Sequence, residues 1–452
     1  MRTINFLDIK GILFIILYLI IFGVVIVVYS SKYSDDKKIK KLFVCGYFFK
    51  IMMGIAFALI YDFYYNWEGD TYSYYSNACG LGGLFFSNTK AYFMILFDMI
   101  DETNVSTLPQ TIGYYPRFAK DASVYAIHRF LSPFAIMGLN NYYVIGICLN
   151  TFLFVLNWKF FRFLNQLFPS KANLIAISIL FIPSVGFWGA GLLKDSYTLS
   201  FTFIFIIYFY RIFFQKKLSI KNILFFLLSI YVVVKLKPYI VYSCLVSCFI
   251  WLGFSYIYLV KNKFLRFCVF PIVAFAIGFG GFFVMQKLSA KIGGAYGDID
   301  SMLWKAAASQ YDLKQEYYHG ASFDIGDLEP TAKGALSIAP AAIIAGFYRP
   351  FIWEAKSIVM LLSGIENLVL LLLSVYVLLK GGLKFFFRKL FESPFLIFCF
   401  LFSLLMSLGI GLSTSNFGAL VRFTIPFLPF FFMFWLFLLN DLRKEKLALK
   451  KN

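Results

Sequence analysis

Apolar residues along this chain come in long blocks, not in the two-residue alternation of a half-buried strand. Eleven such blocks can be read, at 9–30, 42–61, 140–158, 174–192, 196–214, 219–236, 239–260, 265–286, 357–379, 394–412 and 420–440. A helix needs about 20 residues to cross the hydrocarbon core of a bilayer. The expected fold is therefore an all-α polytopic membrane protein of about eleven transmembrane helices, with 1–452 as one polytopic membrane domain. The first block is expected to stay as an anchor, because its apolar run is long and the Lys-rich SKYSDDKKIKK follows directly. Two connections are long, about 62–139 and 287–356. Both carry apolar stretches too short to span: AYFMILFDMI (91–100), HRFLSPFAIMGL (128–139) and GALSIAPAAIIAGF (334–347). These read as interfacial or re-entrant helices.

The net charge of +19 sharpens this picture once it is mapped. Six stretches between apolar blocks (31–41, 159–173, 211–221, 261–266, 380–392 and 441–452) hold 24 of the 42 Lys and Arg but only 5 of the 23 acids, and so carry the whole excess. They fall at alternate connections, which by the positive-inside rule puts the N-terminus outside and the C-terminus in the cytoplasm. Both long connections are then extracytoplasmic. A basic balance distributed in this way reports topology and argues against a nucleic-acid partner.

Composition agrees. The chain is 61% hydrophobic, 21% aromatic and 14% charged, with a mean hydropathy of +0.77. This excludes an ordinary soluble enzyme, a disordered chain and a disulfide scaffold. Six of the seven cysteines lie in or beside apolar blocks and no CxxC occurs, so they read as small apolar residues. His128 and His319 are the only histidines and lack metal-type spacing, so no metal or other cofactor is expected.

Candidate chemistry lies where ionisable groups interrupt the pattern near outer helix ends, since such groups are costly at membrane depth. DFYYNWEGDTYSYYSNA holds Asp62, Glu68 and Asp70 interleaved with Tyr72, Tyr74 and Tyr75. Aromatic faces stack on sugars and a carboxylate can accept a proton from an attacking hydroxyl. The competing reading is an interfacial aromatic belt with solvated acids. IPSVGFWGAGLLKDSYTLS (182–200) turns the chain between two blocks and carries Trp188, Lys194 and Asp195. It reads either as a broken helix that holds a phosphate or as a tight hairpin with a local ion pair. VVVKLKPYIVYS places Lys235 and Lys237 at another outer turn, as ligand cations or as snorkelling lysines. GFYRPFIWEAKS groups Arg349, Trp353 and Glu354, which suit a bidentate phosphate contact or an anchoring ion pair. In ALVRFTIPFLPF, Arg422 precedes Pro426 and Pro429, and reads as a ligand cation or a snorkelling Arg.

These segments resemble a known group. GDTYSYY after an early span resembles the GD-x-x-x-Y region of bacterial exopolysaccharide and O-antigen polymerases, the Wzy/EpsG-like group. FWGAGLLKD, KLKPYI and RFTIPFLP resemble segments of envelope-polysaccharide proteins, and the layout is similar to GT-C membrane glycosyltransferases. The resemblance implies an undecaprenyl-phosphate-linked substrate at the periplasmic face of a bacterial inner membrane, without a metal. It maps the first-loop acid of GT-C enzymes onto Asp70, although here that loop follows the second span. It maps the periplasmic arginines of O-antigen polymerases onto Arg117, Arg349 or Arg422.

The expected function is a glycosyltransferase or polymerase of cell-surface polysaccharide acting on polyprenyl-linked saccharide, with Asp70 and Arg349 catalytic. Asp62, Glu68, Tyr72, Trp188, Lys194, Asp195, Lys235, Lys237, Trp353, Glu354 and Arg422 would bind substrate. Asp70, Lys194, Arg349 and Arg422 are expected to converge, with Asp195 and Glu354 orienting the cations next to them. Partners would be the lipid-linked sugar, membrane lipid and other polysaccharide-assembly proteins. The alternative is a transporter or flippase of lipid-linked saccharide.

Overall fold

The computed structural model describes residues 7–33, 36–99, 121–257, 298–315 and 321–449. The expected span 265–286, Arg117, His319 and parts of both long connections lie outside these residues. Among the described residues the regular structure is helical, with one isolated β-bridge between Ser322 and Asn416. The chain is an all-α, multi-pass membrane protein.

In order, the helices are α1 (Ile9–Tyr33), α2 (Lys37–Phe63), α3 (Asp70–Ser87), α4 (Thr89–Leu96), α5 (Ala122–Met137) and α6 (Tyr142–Leu167). Next come α7 (Ala172–Leu180), α8 (Pro183–Trp188), α9 (Lys194–Phe209), α10 (Ile220–Leu236), α11 (Pro238–Ile257) and α12 (Ile299–Leu313). The series ends with α13 (Ala332–Tyr348), α14 (Ile358–Glu392), α15 (Pro394–Ser413), α16 (Phe417–Thr424) and α17 (Leu428–Leu449). Local sequence explains many starts. Asp36, Asn88, Asp121, Ser357 and Asn416 accept backbone N–H groups at helix N-termini. Prolines open α8, α11 and α15, where a missing N–H loses nothing.

Seven helices are long and apolar enough to cross a membrane: α1, α2, α6, α9 with its short continuation to Phe214, α11, α14 and α15. The pair α16 and α17, bent by 67° where Pro426 and Pro429 interrupt the helix, makes an eighth if it counts as one span. Two expected blocks fall short for visible reasons. α10 has 17 residues, about 26 Å at 1.5 Å per residue. The block 174–192 is cut at Pro183 into α7 and α8. The short apolar stretches in the long connections form α4, α5 and α13.

The chain forms two compact units. The first comprises Met1–Gln166, Ile179–Ile204 and Leu228–Lys237, and the second Leu167–Ser178, Phe205–Leu227 and Pro238–Asn452. In the first, α2 packs on α6 through Phe43, whose ring lies 5.4 Å from Phe154 and 4.9 Å from Trp158. In the same unit Leu81, Leu84, Tyr92 and Ile95 form a core between α3 and α4. In the second, α13 meets α15 at Gly411, where a Cβ would lie 2.1 Å from the Ala342 carbonyl oxygen. Such small-residue contact is how helices approach closely in lipid. One end of the second unit is tied by ion pairs: Lys171 with Asp441 at 3.0 Å, Arg388 with Glu445 at 2.6 Å and Lys389 with Glu445 at 2.8 Å.

Candidate functional site

The first unit gathers most of the candidate side chains, and the turn between α8 and α9 positions them. This turn, 189–193, leaves its carbonyls outside any helix, and side chains serve them. Lys50 of α2 donates to the Gly189 oxygen, Asn150 of α6 to Ala190 at 2.8 Å, and Ser196 to Gly191 at 2.6 Å. Irregular backbone at membrane depth requires such partners. Trp188 is buried beside Phe57 and Phe187, so it packs the turn and does not present a surface for sugar.

Lys194 and Asp195 emerge from this turn in different directions. Asp195 is fully buried and pairs with Lys237 at 2.5 Å, not with the lysine beside it in sequence. Lys194 donates to Ser123 Oγ at 2.7 Å, and Ser123 Oγ donates to Asp121 at 2.7 Å. Asp121, Lys237, Asp70 and Asp195 are the charges that act on Lys194. Asp70 opens α3 and is exposed, near the positive end of that helix. Tyr74, one turn further on, has Lys194 Nζ 5.6 Å from its ring centre and the His128 ring at 5.8 Å. Burial, reinforced by Lys194 and opposed by Asp121, pushes His128 down to about 4, so the imidazole is neutral at pH 7. Asp121 is held below the usual carboxylate value: burial opposes this, but Ser123, Lys194 and two backbone N–H groups outweigh it.

The other early acids separate. Glu68 is exposed, whereas Asp62 is buried and accepts a bond from Tyr143 Oη at 2.8 Å. That partner fits a tie between α2 and α6 better than a ligand contact. Tyr72 packs on Trp67 and Tyr75. Lys235 is partly exposed and pairs with Asp98 at 2.9 Å. A small open-sided cleft lies nearby, between α2, α6 and the 190–192 turn. Asn150 lines it, and none of the charged candidates does.

In the second unit Arg349 is engaged on nearly every side. Its Nε lies 3.0 and 3.1 Å from the two Glu354 carboxylate oxygens, and Nη2 also bonds to Glu354. The guanidinium covers the rings of Phe323 and Phe417, at 4.6 and 5.5 Å. Glu354 therefore orients Arg349 as expected from sequence, but it also occupies the edge that a phosphate would need. Trp353 is 72% exposed and stacks on Phe351. Arg422 sits half-buried on α16, just before the bend. Thus Asp70 and Lys194 belong to one unit, Arg349 and Arg422 to the other.

Asp98, Asp121, His128, Arg129, Lys50 and Asn150 were not singled out from sequence. Lys50 carried a signal, a lone cation within the block 42–61. Among the described residues no group of three or more His, Cys, Asp or Glu could hold a metal ion. No family model, curated protein or solved structure matches this chain.

Proposed function

We propose that the protein is a membrane glycosyltransferase or polysaccharide polymerase that acts on polyprenyl-(di)phosphate-linked saccharide at the outer face of a bacterial inner membrane. The observation that carries this reading is the setting of Lys194: a cation at a helix start, 5.6 Å from the centre of the Tyr74 ring, bonded through Ser123 to Asp121 and acted on by the charge of Asp70. In this reading an acceptor hydroxyl attacks the anomeric carbon, its proton passes to Asp70, and the bond to the lipid phosphate breaks. Cations nearby stabilise charge growing on the leaving oxygen, and half-buried Tyr72 offers a ring face to sugar. Arg349, clamped by Glu354, then shapes the second unit.

The topology proposed is eleven spans with the N-terminus outside and the C-terminus inside. The ion pairs joining 380–392, 441–452 and Lys171 support a common side for three of the basic stretches. One observation favours the transporter reading instead: the broken α7–α8 segment with the buried Lys50 against it. Deleting the gene separates the two. Transfer or polymerisation predicts that surface glycan shortens to single repeats or loses a sugar. Lipid-linked precursor trapped on the cytoplasmic side would favour transport. Asp70→Asn should remove most activity while leaving the amount of folded protein unchanged, and full activity in that variant would refute the assigned role.

A further inference from the structure

α4 ends at Leu96, and Asp98 follows with φ of 60°, a left-handed conformation that Asp tolerates. The turn presents its carboxylate to two cations from elsewhere in the first unit. Arg129 Nη1 lies 3.1 Å from Oδ1, and Lys235 Nζ lies 2.9 Å from Oδ2. Asp98 and Lys235 are 32% and 36% exposed, whereas the Arg129 side chain is 1% exposed. Arg129 is thus the buried member of a cluster whose other two members are partly exposed.

The contacts of Arg129 fall on one side of its guanidinium. Nη1 also faces the Ile95 carbonyl at 3.5 Å, and the group lies 4.9 Å above the Tyr125 ring. Nε is sealed from solvent and has no hydrogen-bond partner among the described residues. No hydrogen bond from Nη2 is found among the described residues. Nε and Nη2 together form the edge that grips two oxygens of a phosphate in parallel. A buried charged donor left unsatisfied is unfavourable, and an oxyanion relieves it. Among the described residues, two cations here share one acid.

We propose that the Nε–Nη2 edge of Arg129, with Lys235 beside it, is an oxyanion site that takes two oxygens of a phosphate group. The phosphate is that of a lipid carrier, a choice that rests on the function proposed above; the site itself does not.

Full-length protein in nanodiscs is titrated with farnesyl diphosphate and, separately, with inorganic diphosphate. The native chain should bind the lipid diphosphate more tightly than the inorganic one. Arg129→Lys keeps a cation for Asp98 but lacks the fork, and should bind both probes at least about tenfold more weakly. Lys235→Gln, at a partly exposed position, should weaken both by about three- to tenfold. Lys305→Gln, an exposed lysine of the second unit, should change neither. Folded Arg129→Lys with native affinity would overturn the site, as would a native chain that binds neither probe. If Arg129→Lys fails to fold, Lys235→Gln decides, and unchanged binding there overturns it. Equal affinity for the two probes would support the oxyanion site and overturn the lipid carrier. Arg129-dependent binding in a protein whose deletion leaves surface glycan intact would keep the site and remove the transferase.

Discussion

At the scale of single residues, the charges choose partners that sequence neighbourhood conceals. Lys194 and Asp195 are adjacent, yet Asp195 is paired with Lys237 and Lys194 bonds to Ser123. His128 and Arg129 are also adjacent, and helical rotation of about 100° turns one towards Tyr74 and the other towards Asp98. The candidate cations Lys194, Lys235 and Lys237 were therefore legible as ionisable residues at costly positions. Their acids Asp98 and Asp121 were not, because partner choice depends on which helix ends the fold brings together. The Lys237–Asp195 pair is buried on both sides. Breaking it by Asp195→Asn or Lys237→Met should lower stability by about 3–5 kcal/mol, with part recovered in the double variant. Detergent-solubilised unfolding midpoints of all three variants check this, and a double variant as unstable as the summed singles would contradict it. His128 supplies a pH signature. Its pKa is about 4 when folded against an ordinary value of 6.5, so the unfolded chain binds more protons between those values. Stability from this group is complete above pH 6.5 and falls as pH drops towards 4, by up to about 3 kcal/mol. His128→Gln should flatten that slope, and an unchanged slope would assign it elsewhere.

Among the elements, the long apolar blocks were legible because bilayer thickness sets their length, and seven of them return as helices of spanning length. The break at Pro183 was legible too, as a loosened helix. What the pattern did not carry is how the turn at 189–193 is held, since Lys50, Asn150 and Phe57 come from other helices. Glycine at position 191 is part of that hold: a Cβ there would sit 2.5 Å from the Phe57 ring. Gly191→Ala should destabilise by about 1–3 kcal/mol through overpacking. Gly80 on α3 has nothing within 4 Å of an added Cβ, so Gly80→Ala should be neutral or stabilise by up to about 1 kcal/mol. Thermal unfolding of the two variants side by side tests the packing argument, and equal effects would refute it.

Across the whole molecule, the proposed topology rests on the charge distribution and is supported by ion pairs. Lys171, Arg388 and Lys389 come from two separate basic stretches, and their acids Asp441 and Glu445 come from a third. Those three stretches share one end of the second unit, which fits the common side that the proposed topology gives them. At another place in that unit, Phe323 N–H bonds to Ser415 at 2.9 Å and Phe417 N–H to Ala321 at 3.0 Å. Residues 321–323, at the described part of the second long connection, thus meet the turn near 415, which fits the proposed topology. A basic excess holds its stretch in the cytoplasm, whereas a long loop crosses regardless of its charge. With native cysteines replaced, Lys216→Cys should stay unlabelled by an impermeant thiol reagent in intact cells, and Asp312→Cys, exposed on α12, should label. Opening the cells should then expose position 216 to the reagent. The reverse pattern would invert the topology. It would also place Asp70, Lys194 and the Arg129 cluster on the cytoplasmic face, where a soluble nucleotide-sugar donor could reach them.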